Sequence, residues 1–312
     1  MSQLPDWARA LGAPLYVGRI RSTPDDFTVI EQLAIEFTGD GEHDWLQVRK
    51  TDANTHWVAE QLARHASVAA RDVGYAGLKD RRAVTTQWFS VRRRSGAGTD
   101  WTKFTAEGVE LLEHSRHNRK LRRGAHRGNA FRIAVRGDAA LPRDQLEARL
   151  QLIDEQGVPN YFGEQRFGRG GSNVDLGHAV LAGRRLSRNK RSLGISALRS
   201  FRFNEELDAR VRADSWHTLL PGDLANLDGS GSVFAIEEVT TELEQRCRAM
   251  DVHPCGSLPG FETIGVEPGT RALRMRVTDL RWEIEEDVLW LEFRLRKGSY
   301  ATAVLRELVR LT

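Results

Sequence analysis

Residues 15–50 alternate between apolar and polar positions in a way that predicts β-structure. Phe27, Val29 and Glu31 fall on one side of a period-two pattern, and Thr28 and Ile30 fall on the other. Leu46 and Val48 continue such a period after Trp45. The spacing then changes. Asn54 is a residue type that caps helices, and Val58, Leu62 and Ala66 behind it share one helical face. Trp88 to Val91 predicts another strand, followed by Arg92-Arg93-Arg94 and a Ser-Gly-Ala-Gly loop. Phe131, Ile133 and Val135 alternate again. Leu146, Leu150 and Ile153 predict a helix that starts after Pro142 and stops at Gly157. From about residue 272 the pattern returns to strands. Met275 and Val277 alternate, and Ile284 and Leu289-Leu291-Phe293-Leu295 flank an acidic turn at Glu285 to Asp287, as in a hairpin with one buried face. Ser299 is the expected cap of a closing helix striped by Val304, Leu308 and Leu311. No internal repeat or low-complexity stretch interrupts this order.

Charge is concentrated where the pattern breaks. In Gly74 to Gln87, Lys79, Arg81 and Arg82 bracket Asp80 on a glycine-containing turn. Cations stabilise the charge of a neighbouring carboxylate, so Asp80 is expected to serve as an ionised nucleophile or base. The competing reading is a surface turn with weak ion pairs. Residues 116–127 carry Arg116, Arg119, Lys120, Arg122, Arg123 and Arg127 with no acidic residue among them. They suit either a solvated loop or salt-dependent contact with nucleic-acid phosphates. Asn160 to Gly171 interleaves aromatics, arginines and glycines. That mixture fits base stacking, and it equally fits a tight turn with buried rings. Arg184, Arg185, Arg188, Lys190, Arg191 and Arg199 form a second basic patch.

Composition narrows the classes. A chain of 312 residues is long for one core and predicts two domains. Hydrophobic residues make up 40%, enough for a sizeable core, and no apolar run reaches the length of a membrane span. Met1 to Ala13 lacks the basic-then-apolar order of a signal peptide. The two cysteines, Cys247 and Cys255, give neither a disulfide framework nor a CxxC metal motif, which predicts a reducing cytoplasm. Of the 46 basic residues 40 are arginine, whose planar fork pairs with phosphate and stacks on bases, so an RNA partner is expected. The nine histidines are scattered; His43, between Glu42 and Asp44, is the nearest candidate for a metal site, and no metal is expected there.

The string Tyr75 to Gln87 resembles the signature of the TruD family of tRNA pseudouridine synthases. Further stretches resemble that family in the same order: Asp26 to Glu31, Gly41 to Leu46, Arg127 to Phe131, Asn160 to Gly168, and Gly298 to Thr302 with Leu305 to Leu308. One motif would be weak; the ordered set spans nearly the whole chain. The resemblance implies an α/β (α+β) protein of the pseudouridine synthase fold, with a largely antiparallel mixed sheet and an inserted α/β domain characteristic of the family. The catalytic domain would comprise residues 1–155 and 269–312, and the insertion 156–268.

The resemblance also implies that Asp80 is the catalytic aspartate and that Phe27, Asn129, Phe131 and Tyr300 bind substrate. Phe131 stands where other pseudouridine synthases use tyrosine, and Tyr300 where the family commonly has phenylalanine. Lys79, Arg81, Arg122, Arg123 and Arg166 are candidate RNA or phosphate contacts. The implied reaction turns a uridine of tRNA, at position 13 of the D-arm with glutamate tRNA the commonest case, into pseudouridine without cofactor or metal, in a monomer. Asp80 could attack C6 of the base or C1′ of the sugar, or remove the C2′ proton. A non-catalytic RNA-binding or RNA-chaperone protein is the main alternative, and a metal-dependent nuclease the second.

Overall fold

The computed structural model describes residues 4–93, 98–228 and 231–312. Met1 to Gln3, Arg94 of the predicted basic triplet, and Ser95 to Ala97 of the loop after it lie outside the described residues. In chain order the main elements are β1 (Tyr16–Arg19), β2 (Phe27–Gln32), β3 (His43–Thr51), α1 (Thr55–His65), β4 (Val73–Tyr75), β5 (Val84–Arg92), β6 (Val109–His117) and β7 (Gly128–Gly137). Then follow α2 (Arg143–Gln156), β8 (Val158–Pro159), α3 (Ser172–Leu181), α4 (Arg188–Arg212), β9 (Leu224–Leu227), β10 (Val233–Ala235), α5 (Thr241–Arg248), β11 (Val252–Leu258), β12 (Gly269–Ala272) and β13 (Arg274–Met275). The chain closes with β14 (Thr278–Ile284), β15 (Val288–Arg296), α6 (Ala301–Leu305) and β16 (Val309–Leu311). No helix among the described residues is long and apolar enough to cross a membrane.

Two compact units result. One comprises Val17–Leu141, Thr278–Gly298 and Leu311–Thr312; the other comprises Met1–Tyr16, Pro142–Val277 and Ser299–Arg310. By compactness, α2, β13 and α6 therefore group with residues 156–268.

The first unit is built on a sheet of order β14-β15-β7-β2-β5-β3-β6, with β4 added to β5 and β1 to β7. Only β2 and β5 run parallel along this path, in the register Val29↔Thr85; the other neighbours are antiparallel. The period-two pattern explains the faces. Phe27, Val29 and Glu31 are buried while Ile30 is 46% exposed. In β15, Leu289, Leu291, Phe293 and Leu295 are buried while Glu292 and Arg294 point out. Asn54 caps α1 by accepting from the His56 amide at 2.8 Å. The helix lays Val58 and Leu62 against Leu46, Val48, Phe89 and Val91. Truncating a fully buried leucine such as Leu62 to alanine should cost about 2–5 kcal/mol. On the opposite face Trp45, Trp88 and Leu121 make a second cluster under Leu33, Ile35 and Phe37.

The second unit pairs α3 with α4 and adds a small sheet of order β10-β9-β11-β12. Gly177 and Gly194 let the two helices touch, because a Cβ on Gly177 would lie 2.5 Å from the Gly194 carbonyl oxygen. Tyr161, Phe162, Phe167, Leu198, Phe203, Leu207 and Trp216 fill the core. The basic patch from Arg188 onward is the start of the 25-residue α4, a helix that its charge had hidden. The closing helix is also shorter than the apolar stripe predicts. It runs from Ala301 to Leu305 with Tyr300, not Ser299, at its N-cap, and Leu311 lies in β16. The Leu308 carbonyl accepts from the Leu15 amide at 2.9 Å, which diverts an acceptor that a longer helix would need.

Candidate active site

The loop between β4 and β5 carries Asp80, and three neighbouring elements pin its backbone. From β5, Gln87 donates its side-chain amide to the Gly77 carbonyl at 3.1 Å. From α1, Thr55 Oγ1 accepts from the Lys79 amide at 3.0 Å. From the end of β3, Lys50 Nζ donates to the Asp80 carbonyl at 2.8 Å and to the Ala53 carbonyl at 2.7 Å. Gln87 and Lys50 reach the same loop because the register Lys50↔Thr85 places them on one sheet face.

The Asp80 carboxylate is half exposed and, among the described residues, forms an ion pair with one cation. Arg21 Nη2 donates to Asp80 Oδ2 at 2.5 Å, and the Arg21 side chain is only 21% exposed. The guanidinium carbon of Arg21 also sits 4.0 Å from the ring centroid of Phe27. Arg21 itself has φ +61°, a left-handed conformation that costs a non-glycine residue about 1–3 kcal/mol and tends to occur at functional sites. The turn before β2 thus presents its arginine to the aspartate loop.

Beside this pair the sheet supplies aromatic and amide groups. Phe131 on β7 lies edge-on to Phe27, with centroids 6.3 Å apart, and stacks on Phe293 of β15 at 5.4 Å. Asn129 lies two residues earlier on the same face, opposite Glu31 in register. Lys79 Nζ donates to Asn129 Oδ1 at 2.8 Å and pairs with Glu31 Oε2 at 3.0 Å. Both charged side chains of this pair are buried, Lys79 at 6% and Glu31 at 0% exposure. Phe27, Asp80, Asn129 and Phe131 are therefore gathered at one place, with Lys79 holding the amide of Asn129 and fixing its oxygen as an acceptor.

The other sequence candidates divide. Arg81 is paired on the surface with Asp52 at 3.4 Å. Arg123 lies over the Tyr75 ring at 4.4 Å and donates to its hydroxyl at 2.9 Å. Arg119, Lys120, Arg122 and Arg127 are exposed and form no ion pair among the described residues. Arg166 and Tyr300 belong to the second unit. Arg166 donates to the hydroxyls of Ser196 at 2.5 Å and Ser200 at 3.2 Å. Tyr300 packs on Phe162, centroids 6.0 Å apart. Arg271 lies 4.1 Å over the Phe162 ring and 5.9 Å from that of Tyr300, and its burial pulls the guanidinium down to about 10. Asn160 is held by bonds to the Ala272 carbonyl and from Arg271. With Tyr161, Phe162 and Phe167 buried, much of the Asn160–Gly171 string is internal packing.

Three groups at the site, Arg21, Lys50 and Glu31, have no role assigned from the sequence. Glu31 could have been found, because a carboxylate on the buried side of an alternating strand demands a cation. Among the described residues no three His, Cys, Asp or Glu side chains are placed to hold a metal ion. Asp44, next to His43, is taken up by Arg93, Trp101 and His114.

Residues 10–184 and 263–308 match the family described as tRNA pseudouridine synthase D (TruD). The tRNA pseudouridine synthase D of Methylococcus capsulatus is 45% identical, over 97% of this chain and 94% of its own length. That of Nitrosococcus oceani is 42% identical, over 95% and 92%. A crystal structure of a Methanosarcina mazei protein assigned to tRNA pseudouridine synthase D (TruD) superposes with a TM-score of 0.77 at 21% identity, covering 98% of this chain and 96% of that one. At that identity it speaks for the fold, which is the mixed, largely antiparallel architecture described above.

Proposed function

The chain belongs to the TruD family of tRNA pseudouridine synthases and is an isomerase of that class; from that premise we propose that it converts uridine 13 in the D-arm of tRNA, glutamate tRNA foremost, to pseudouridine through Asp80. The observation that carries the role of Asp80 is its setting. It is the carboxylate of a loop pinned by three elements, paired with Arg21, beside the rings of Phe27 and Phe131 and an oriented amide.

The reaction breaks the N1–C1′ bond of uridine, turns the uracil and joins C5 to C1′. N1 gains a proton and C5 loses one, so atoms and electrons balance without a redox partner. A uridine in a folded tRNA must first leave its stack, which costs a few kcal/mol. Phe131, backed by Phe293 and braced by the buried Phe27, offers a ring for the extruded base. Asn129 presents an amide whose oxygen already accepts from Lys79, leaving its NH2 group to read a base carbonyl. Arg21 stabilises the carboxylate and fixes its orientation. Arg119, Lys120, Arg122 and Arg127, exposed and without ion pairs among the described residues, suit phosphate contact. We assign catalysis to residues 1–155 and 269–312 and treat 156–268 as the inserted domain.

The test is pseudouridine mapping of an unmodified glutamate tRNA transcript after incubation with the protein. A single modification at uridine 13 is expected. Modification only at another uridine would overturn the assigned position, and no modification of any tRNA would overturn the reading as a whole.

A further inference from the structure

A lysine with no exposed surface lies under the loop that carries Asp80. Lys50 is the penultimate residue of β3, paired with Thr85 of β5 and Val109 of β6. Its ammonium donates to the carbonyl of Asp80 at 2.8 Å and to that of Ala53 at 2.7 Å. One side chain therefore ties the loop residue itself, through its backbone, to the turn between β3 and α1. A buried ammonium is costly, and a position on an interior strand, on the same face as Val48 and Leu46, would accept an apolar residue at lower cost.

We infer that Lys50 is a positioning residue for the reaction, holding the Asp80 backbone so that its carboxylate meets the substrate. The inference rests on the reading of Asp80 as the catalytic group. Lys50 touches neither the Asp80 carboxylate nor any of the aromatic groups proposed to hold the base. It acts through the Asp80 carbonyl.

The same geometry makes the positioning sensitive to alkali. Burial pulls the Lys50 ammonium down to about 8, against the opposing pull of Asp80, with Lys79 pushing the same way as burial and Asp52 opposing it. The charged groups around it are themselves engaged: Asp80 with Arg21, Lys79 with Glu31, and Asp52 with Arg81. As pH rises through this range Lys50 loses a proton and its two bonds lose their charge assistance.

The experiment is steady-state pseudouridine formation over a series of tRNA concentrations from pH 6.5 to 9.5, with wild type, Lys50→Met, Lys50→Arg and Asp80→Asn. Wild type should lose rate on the alkaline side with an apparent pKa near 8. Lys50→Met should lower kcat by about 10- to 100-fold with little change in KM, the signature of misplacement and not of lost binding. Its remaining rate should lack the alkaline limb. Lys50→Arg keeps its charge throughout and should recover part of the rate with a flat alkaline profile. A wild-type rate that stays flat to pH 9.5 would overturn the inference without any variant, as would a Lys50→Met protein with wild-type kcat. If Asp80→Asn stays active, the reading of Asp80 fails instead, whatever Lys50 does.

Discussion

Arg21 and Asp80, far apart in the chain, form a 2.5 Å ion pair in which the arginine also lies 4.0 Å over the ring of Phe27. One guanidinium thus connects the carboxylate to the aromatic floor of the site. Because Asp80 is half exposed, the pair should add little to stability, on the order of 1 kcal/mol or less. Its effect should fall on the reaction. Arg21→Ala should leave the melting temperature nearly unchanged and reduce kcat by about 10- to 100-fold, with Arg21→Lys intermediate because a single point charge replaces the fork. Equal kcat for wild type and Arg21→Ala would refute the role.

Lys79 and Glu31 should behave in the opposite way. Their pair is buried, so removing one partner strands the other. Lys79→Met should destabilise the protein by about 3–5 kcal/mol in urea unfolding. Lys79→Met combined with Glu31→Leu should recover much of that loss, because no charge remains buried. Activity should not return with stability, since Asn129 has lost the donor that orients it. A single Lys79→Met variant as stable as wild type would contradict the account.

These two pairs also show what the sequence could and could not reveal. Alternation alone marks the buried faces of β2 and β15, and a capping asparagine with helical spacing marks α1. The Asp80 loop is legible because its charges sit together in the chain. Arg21 and Lys50 are not legible, since each acts through a contact made by folding, and nothing adjacent distinguishes them from other basic residues. The α4 helix escaped because arginines dilute its apolar stripe, although Leu198, Phe203, Leu207 and Val211 are buried along it. The predicted last turns of the closing helix failed at Leu308, whose carbonyl is claimed by a distant backbone amide.

Asp26, just before Phe27, gives the fold an acid-sensitive tie. Burial alone would raise its carboxyl. Bonds from Arg136 at 2.7 Å and from the Thr23 amide at 3.0 Å outweigh burial and hold it below the ordinary range. A carboxylate held low in the folded state contributes stability that is complete above its unfolded value, about 3.9, and fades as pH falls through the folded value. Arg136→Ala should therefore be less stable than wild type at neutral pH, with a gap that closes as the pH drops below that range. Urea midpoints taken from pH 7 to pH 3 test this; a gap that does not vary with pH would contradict it.

The loop after β6 should contribute to binding more than to catalysis. Arg119, Lys120, Arg122 and Arg127 are exposed and free of ion pairs among the described residues. Each one that meets a phosphate should, when changed to alanine, lower the slope of log Kd against log salt by about 0.7–0.9. The rate at saturating tRNA should be unchanged. Filter binding across a salt series measures the slope, and variants with wild-type slopes would remove this loop from the RNA-binding surface.

The central claim is that Asp80 is the group on which the isomerisation depends. The most direct measurement compares wild type with Asp80→Asn on the same unmodified tRNA, reading pseudouridine by chemical mapping and tRNA binding in parallel. Asparagine keeps the size of the side chain and the Lys50 bond to the backbone carbonyl, but not the charge. The proposed role of Asp80 requires pseudouridine with wild type only and tRNA binding by both proteins. Pseudouridine made by Asp80→Asn at the wild-type rate would contradict it.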